Sequence, residues 1–524
     1  MNFKKIWASL ASLALVFSPL SIYADEGGAV AQSVDGTQMY AEYTSAWTAA
    51  NSGTEIIMLQ DWDLSSRLVV NEGQNVTIDM NGHKMDRHLD DAISDGEVIY
   101  LSKSSNLTLK GSTDCKYTVQ NRWKHKNRRD TAEVTVGGLV TGGASSNGGG
   151  GIHMKAGSQL TLDHVGVMAN ASISFSGEGG GIHTDGDGCI INLKNKAQVS
   201  YNYGGNGGGI YINNEDNYIY MDNSEISYNF ANNGAGLYSD DDATRISMNN
   251  NSKISNNTAY VDGGGIFFND SYSLVQSGDS TGSISNNETD SSSTGRGAGI
   301  YYAYAYISDN YGEIKNITFN KNMGLTNGSN ASLSRGGAIY CKLNNLIITN
   351  CTFTENRSDY GGAIYDDGKN MTLDGCTIKN NICNAKAAGV YVDGSVNLNL
   401  AGKLIIKDNE LTGMGKKTNV YLAAAIWTNA YISGTPEAGS EVWISSAEEG
   451  QIGINQTESN GIFFLDDSDS NHLEYSGSDL YKKNGATSSI FGNGNTIVAL
   501  CVMVGIGIVA IVALVIDKRK KTNA

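Results

Sequence analysis

The stretch GGAIYCKLNNLIITNCTFTENRSDYGGAIY, residues 336–365, opens and closes on the same five letters. Related groups recur on both sides: GGGIH at Gly149 and Gly179, GGGIY at Gly207, GAGLY at Gly234, GGGIF at Gly263, GAGIY at Gly297 and AAGVY at Ala387, with a degenerate copy at Val420 and Tyr421. Their aliphatic members are Ile152, Ile182, Ile210, Leu237, Ile266, Ile300, Ile339, Ile364, Val390 and Val420, so the unit is about 30 residues long. A second signal, an aliphatic residue or Phe followed three positions on by Asn, falls between the copies at Asn170, Asn202, Asn229, Asn257, Asn287, Asn322, Asn356, Asn381 and Asn409. The distance from aliphatic marker to Asn varies less than the distance from Asn to the next marker. Each unit therefore has a fixed part and one loop that accepts insertions.

Within the fixed part lie brief apolar runs such as 346–348, 397–400 and 404–406, too short and too lacking in a 3.6-residue period to be helices. Three short strands per unit, punctuated by Gly and Asn, describe one coil of a parallel β-helix. A single coil cannot bury its inward residues; stacking coils about 4.8 Å apart pairs their backbones and closes an aliphatic column. Asn suits the recurring bend because it tolerates left-handed backbone angles, and its amide can bond the Asn above and below. Gly before the aliphatic permits close backbone approach. A kelch-type propeller also carries Gly doublets, but its blade needs about 50 residues. The expected fold is all-β: a right-handed single-stranded parallel β-helix of about 12–14 coils, with a short N-terminal cap helix and a C-terminal transmembrane helix.

The rest of the 524 residues is assigned around that solenoid. Lys4 and Lys5 precede an apolar run at 6–20 that leads to Ala24, which reads as a signal peptide over 1–24. Residues 25–54 form a cap segment with an amphipathic helix at 38–51, and the solenoid occupies 55–475, its early strands at 55–60, 67–70, 75–80, 97–101 and 106–110. A polar stalk at 476–495 precedes an uncharged run at 496–516, rich in Val, Ile, Ala and Gly, and then a basic tail at 517–524. That is the pattern of a membrane span with a cytoplasmic tail. The expected location is the plasma membrane, with the solenoid outside the cell. A formal charge of −17 argues against nucleic acid as a partner, and no cofactor is expected. The seven cysteines show no CxxC pairing. Cys351 and Cys376 occupy equivalent places in successive coils, within disulfide reach if the coils stack; Cys341 and Cys383 are further candidates for oxidation.

The GGAIY copies, with Phe319 and Asn322 before them and Phe353 and Asn356 between them, resemble the GGAI and FxxN repeats of the polymorphic outer-membrane proteins of chlamydiae and of other bacterial surface proteins with right-handed β-helix repeats. The resemblance covers about 149–421, although Ile or Val replaces the Phe in most copies. It implies a surface-exposed, adhesin-like role. Those proteins end in an outer-membrane barrel, whereas this chain ends in an apolar run fit for one helix.

If the aliphatic markers face inward, the next residues face outward and stack: His153, His183, Tyr211, Tyr238, Phe267, Tyr301, Tyr340, Tyr365, Tyr391 and Tyr421. That column is either a platform on which sugar rings stack or an aromatic ladder that only stabilises the sheet. The following turn repeats Asp185, Asn213, Asp240, Asn269, Asp367 and Asp393, with Asp187, Asp241, Asp242 and Asp366 nearby. Such carboxylates suit a polysaccharide lyase or hydrolase, or calcium, but Asp and Asn are also ordinary turn residues. The residue set of the polygalacturonases is absent, and no catalytic or metal-ligating set is assigned. A basic island, Arg122, Trp123, Lys124, His125, Lys126, Arg128 and Arg129, is either an exposed loop or a site for an anionic glycan. The expectation is thus a binding protein for carbohydrate or for a host or neighbouring cell surface. A membrane-tethered enzyme acting on uronate-rich polymer is the alternative.

Overall fold

A computed structural model describes residues 28–120 and 131–483, apart from 174–176, 241–242, 270–271, 292–293, 304–309, 327–332, 394–396, 424–430, 447–449, 454–461, 467–471 and 477–478. The predicted leader, the basic island and the predicted span at 496–516 lie outside the described residues. Among the described residues no helix is long and apolar enough to cross a membrane.

The chain is all-β, and most of its strands run parallel in long sheets, as a β-helix solenoid requires. One coil runs through Ile266–Phe268, Tyr272–Gln276, Ser283–Ser285 and Glu288–Ser291 before the next Gly motif begins. Every strand pairs in register with its equivalent one coil later: Ile266 with Ile300, Val275 with Ile314, Ile284 with Phe319 and Glu288 with Met323. Four vertical rows result. The first carries the aromatic residues, the second has five-residue strands, the third precedes the ladder asparagines and the fourth is short.

Alternation along the first three rows aims Ile266 and Phe268, Val275, and Ile284 into a common interior, where each is fully buried. Aromatic residues stack inside as well, with the Phe319 and Phe353 rings 4.7 Å apart and the Phe268 and Tyr302 rings 5.2 Å apart. The expected early strands appear as Ile56–Met58, Leu68–Val70, Asn75–Asp79, Ile99–Leu101 and Asn106–Lys110.

The ends depart from the repeat. The helix is shorter than 38–51, spanning Tyr43–Asn51, because Met39–Tyr40 pairs instead as a strand with Ala31–Ser33. Ala46, Trp47 and Ala50 are buried, and the Trp47 indole N–H donates to the Val69 carbonyl at 3.0 Å, which ties the helix over the first coils. At the other end, His472–Ser476 and Asp479–Lys483 form an antiparallel hairpin that also pairs with Gly450–Gly453, and Leu480 is fully buried. The segment expected to begin a stalk thus starts as a closing hairpin. Antiparallel strands thus close both ends of the second-row sheet, whereas the sheet that carries the first and third rows ends on parallel-paired strands, Trp62–Asp63 and Leu68–Val70 at one end and Phe463–Leu465 at the other. A further hairpin, Cys115–Gln120 with Thr131–Val136, is inserted ahead of the clear repeats.

Candidate functional site

The site is built on the fixed backbone of the Gly motif. The first Gly of each clear copy has φ between 55° and 66°, and a Cβ there would stand 2.1–2.8 Å from the carbonyl oxygen of the motif's own aliphatic residue. Only Gly takes that geometry without strain. Ala387 adopts it too, at φ 55°.

Beside the motif runs the asparagine ladder. Asn170 donates from its backbone N–H and its Nδ2 to Asn202 Oδ1, and the same two bonds link Asn202 to Asn229 and onward through Asn257, Asn287, Asn322, Asn356, Asn381 and Asn409. Each Nδ2 also donates to a third-row carbonyl of the preceding coil, as Asn287 does to Ile254 at 2.9 Å. These buried amides are satisfied on both oxygen and nitrogen. The ladder runs one rung past the expected set, to Asn419, and ends on Asp466, whose oxygens accept from Asn419 N–H at 3.0 Å and Nδ2 at 2.6 Å. One physical detail differs from the sequence reading. The left-handed residue at this corner is the one before each ladder Asn, from Ala169 through Asp408, with φ 53–58°. The Asn is selected for its amide.

The motif's aromatic member stacks as expected. Ring centroids from Tyr211 through Tyr238, Phe267, Tyr301, Tyr340, Tyr365, Tyr391 and Tyr421 are 4.6–5.4 Å apart. His183, His153 and Tyr100 extend the column downward. Tyr100 escaped the sequence reading because no Gly motif precedes it. From Tyr211 to Tyr365 the rings are only 1–9% exposed, and Tyr391 and Tyr421 are half-buried. Each ring face is covered by its neighbours, so the column offers edges and no free faces among its buried members.

Two further columns flank the rings. On one side Arg296 lies over Tyr301 at 4.9 Å, Arg335 over Tyr365 at 5.2 Å and Lys386 over Tyr421 at 4.7 Å. Arg296 is also paired with Asp262, its Nε donating at 3.1 Å. Arg296 and Arg335 stand just before the first Gly of their copies and Lys386 just before Ala387, the same register position, which the sequence displays. On the other side are the turn carboxylates. Tyr211 donates its hydroxyl to Asp240 at 2.8 Å and Tyr340 to Asp367 at 2.6 Å, each to the coil above, and Tyr365 is bonded likewise to Asp393. Asp240 also accepts from Tyr238 at 3.3 Å and from Asn269 at 3.1 Å.

Burial pushes the Tyr301 phenol up to about 12, and burial together with the adjacent carboxylate raises Tyr211, Tyr340 and Tyr365 further. These phenols stay protonated donors at neutral pH. Toward the His end, burial lowers His183 to about 3, so it is neutral, while the His153 hydrogen bond and Lys155 hold the Asp185 carboxyl well below the usual range. Asp366 is no turn residue. It lies on the inward parity of its strand, 1% exposed, and burial raises its carboxyl to about 7.

Among the described residues no group of three or more His, Cys, Asp or Glu is placed to hold a metal. Cys351 and Cys376 sit beside the paired residues Thr352 and Thr377, one coil apart, as free, buried thiols. Cys341 and Cys383 are free as well.

Residues 350–367 match the Chlamydia polymorphic membrane protein repeat. The chain carries that repeat. The matched stretch takes in Phe353, Asn356 and the Gly361 copy of GGAIY, which here supply a core stack, a ladder rung and a column ring. The polymorphic membrane protein repeat is thus one coil's corner and its return to the aromatic row. No curated protein and no solved structure matches the chain.

Proposed function

We propose that this chain is a cell-surface, adhesin-like binding protein: a right-handed β-helix displayed outside the cell and held in the plasma membrane by the span predicted at 496–516. Right-handedness follows the strong preference of parallel crossovers. The polymorphic membrane protein repeat supports exposure at the surface. The observation that carries the binding reading is the unbroken ring stack from Tyr100 to Tyr421, flanked at some coils by the carboxylates of Asp240, Asp367 and Asp393 and, over its later coils, by Arg296, Arg335 and Lys386. Such a strip repeats one small chemical unit along its length, which suits a repetitive partner such as a glycan chain. Binding is favoured over catalysis because Asp240, the best placed of the turn acids, is occupied by three structural hydrogen bonds.

The test is to probe the full chain against a glycan array and against cells, with an assay for new reducing or unsaturated ends on the same polymers. Binding without product release is expected, weakened by Asp393→Asn together with Tyr421→Ser at the half-buried end of the strip. Product release would favour the membrane-tethered lyase or hydrolase. Failure to bind any glycan or cell would remove the proposal.

A further inference from the structure

On the fourth row, the positions that follow each ladder asparagine stack in register as Arg357, Ile382 and Glu410. After Glu410 the chain leaves the coil. Glu410–Leu411 turns back antiparallel on Lys416–Lys417, through Gly413 and Gly415 in left-handed conformations, and the row ends there. This hairpin borders an open cleft of about 330 Å³ whose lining includes Arg357, Asn380, Ile382, Asp408, Glu410 and Lys417.

The cleft is preorganised. Asn384 Oδ1 accepts from Arg357 Nη2 at 3.2 Å and from the hairpin's Thr412 hydroxyl at 2.9 Å, while Asn384 Nδ2 donates to the buried Asp359 at 2.7 Å. The guanidinium is therefore fixed to the wall and retains donors for a ligand. Lys417 bonds Glu410 only at 3.4 Å. Ile382, 37% exposed, is an apolar patch among these polar groups.

We propose that this cleft is a saccharide subsite that takes one or two rings of a carboxylate-bearing glycan, of the uronic acid class. The proposal rests on the surface-binding reading and gives it a ligand class and a place. The volume falls in the ordinary range for small-ligand pockets. A sugar presents a C–H face to Ile382, hydroxyls to Asp408, Glu410 and Asn380, and its carboxylate to the planar fork of Arg357, with Lys417 as a second cation. A neutral sugar leaves Arg357 unused. A dianion such as phosphate meets repulsion from Asp408 and Glu410.

The experiment titrates trigalacturonate, with maltotriose as the neutral control, into the full chain and its variants by calorimetry. Trigalacturonate should bind more tightly than maltotriose, and Arg357→Gln or Lys417→Gln should weaken it by about tenfold or more, as loss of a charged hydrogen bond does. Lys194→Gln, exposed at the end of a second-row strand and outside both the strip and the cleft, should leave it unchanged, and circular dichroism should show both cleft variants folded. Equal affinity in the wild type and both cleft variants would overturn the subsite, as would a chain that binds other glycans but not trigalacturonate; either result leaves surface binding standing. A chain that binds no glycan and no cell removes both.

Discussion

Replacing Asp366 by Asn tests whether a carboxyl is buried in the solenoid core. One of its oxygens accepts from the Gly368 N–H at 3.1 Å, and the other has no partner. Its in-register neighbours are Cys341 below and Val392 above. Burial is the main cause that lifts this carboxyl from 3.8 to about 7, with a further push from Asp367 and Asp393. Below pH 4 the folded and unfolded chains both carry the proton, so there is no penalty. Between about 4 and 7 the folded chain keeps a proton that the unfolded chain releases, so stability falls as pH rises, and it levels off once the folded group has ionised. A shift of about 3 units at about 1.36 kcal/mol each puts the loss at roughly 4 kcal/mol. Asp366→Asn keeps the shape and cannot titrate. Urea unfolding followed by circular dichroism at pH 4 and at pH 8.5 should show the variant close to wild type at the lower pH and more stable at the higher, by up to about 4 kcal/mol. Parallel pH profiles for the two proteins would refute the reasoning, as would a variant that loses stability at pH 8.5.

Three other outcomes follow from the repeat. Asn287→Ala removes two bonds accepted from Asn257 and the two donated by its own Nδ2 to Asn322 and Ile254, and at about 1 kcal/mol each it should cost about 3–4 kcal/mol in urea unfolding. Gly336→Ala, at φ 66°, should destabilise by about 1–2 kcal/mol, while the reverse change at the strained Ala387, Ala387→Gly, should stabilise by up to about 1 kcal/mol; equal signs for the two would contradict the left-handed assignment. In a spectrophotometric titration Tyr211, Tyr340 and Tyr365 should stay protonated well above pH 10, and a single transition near 10 for all tyrosines would show that the ladder is open to water.

The solenoid was legible because its period is written twice, in the Gly motif and in the Asn, and because strands with an inward aliphatic column need nothing else to set their register. The stacking of Tyr340, Tyr365 and Tyr391 followed from that register alone. Burial of Tyr340 and Tyr365 did not, since it depends on Arg296 and Arg335 and on carboxylates contributed by the coil above. Asp366 could have been placed from its parity, two residues after the inward Ile364, but its neighbour Asp367 made the pair look like a turn. The hairpin at Glu410–Leu411 and Lys416–Lys417 carries no repeat signal, and so neither the cleft beside it nor the rung at Asn419 was visible. Trp47 shows the same limit at the other end, because its carbonyl partner, Val69, is set by tertiary packing.

The ladder also gives the rod a direction. Each ladder residue donates its backbone N–H and one Nδ2 hydrogen toward the later coil, so the amide dipoles add head to tail as peptide units do along an α-helix, leaving bare donors at one terminus. Asp466 supplies the anion that such a terminus wants. Coils can therefore be inserted or deleted in the interior without consequence for this chain of dipoles, whereas cutting the protein back from its far end would strand two buried N–H groups on whichever asparagine became last.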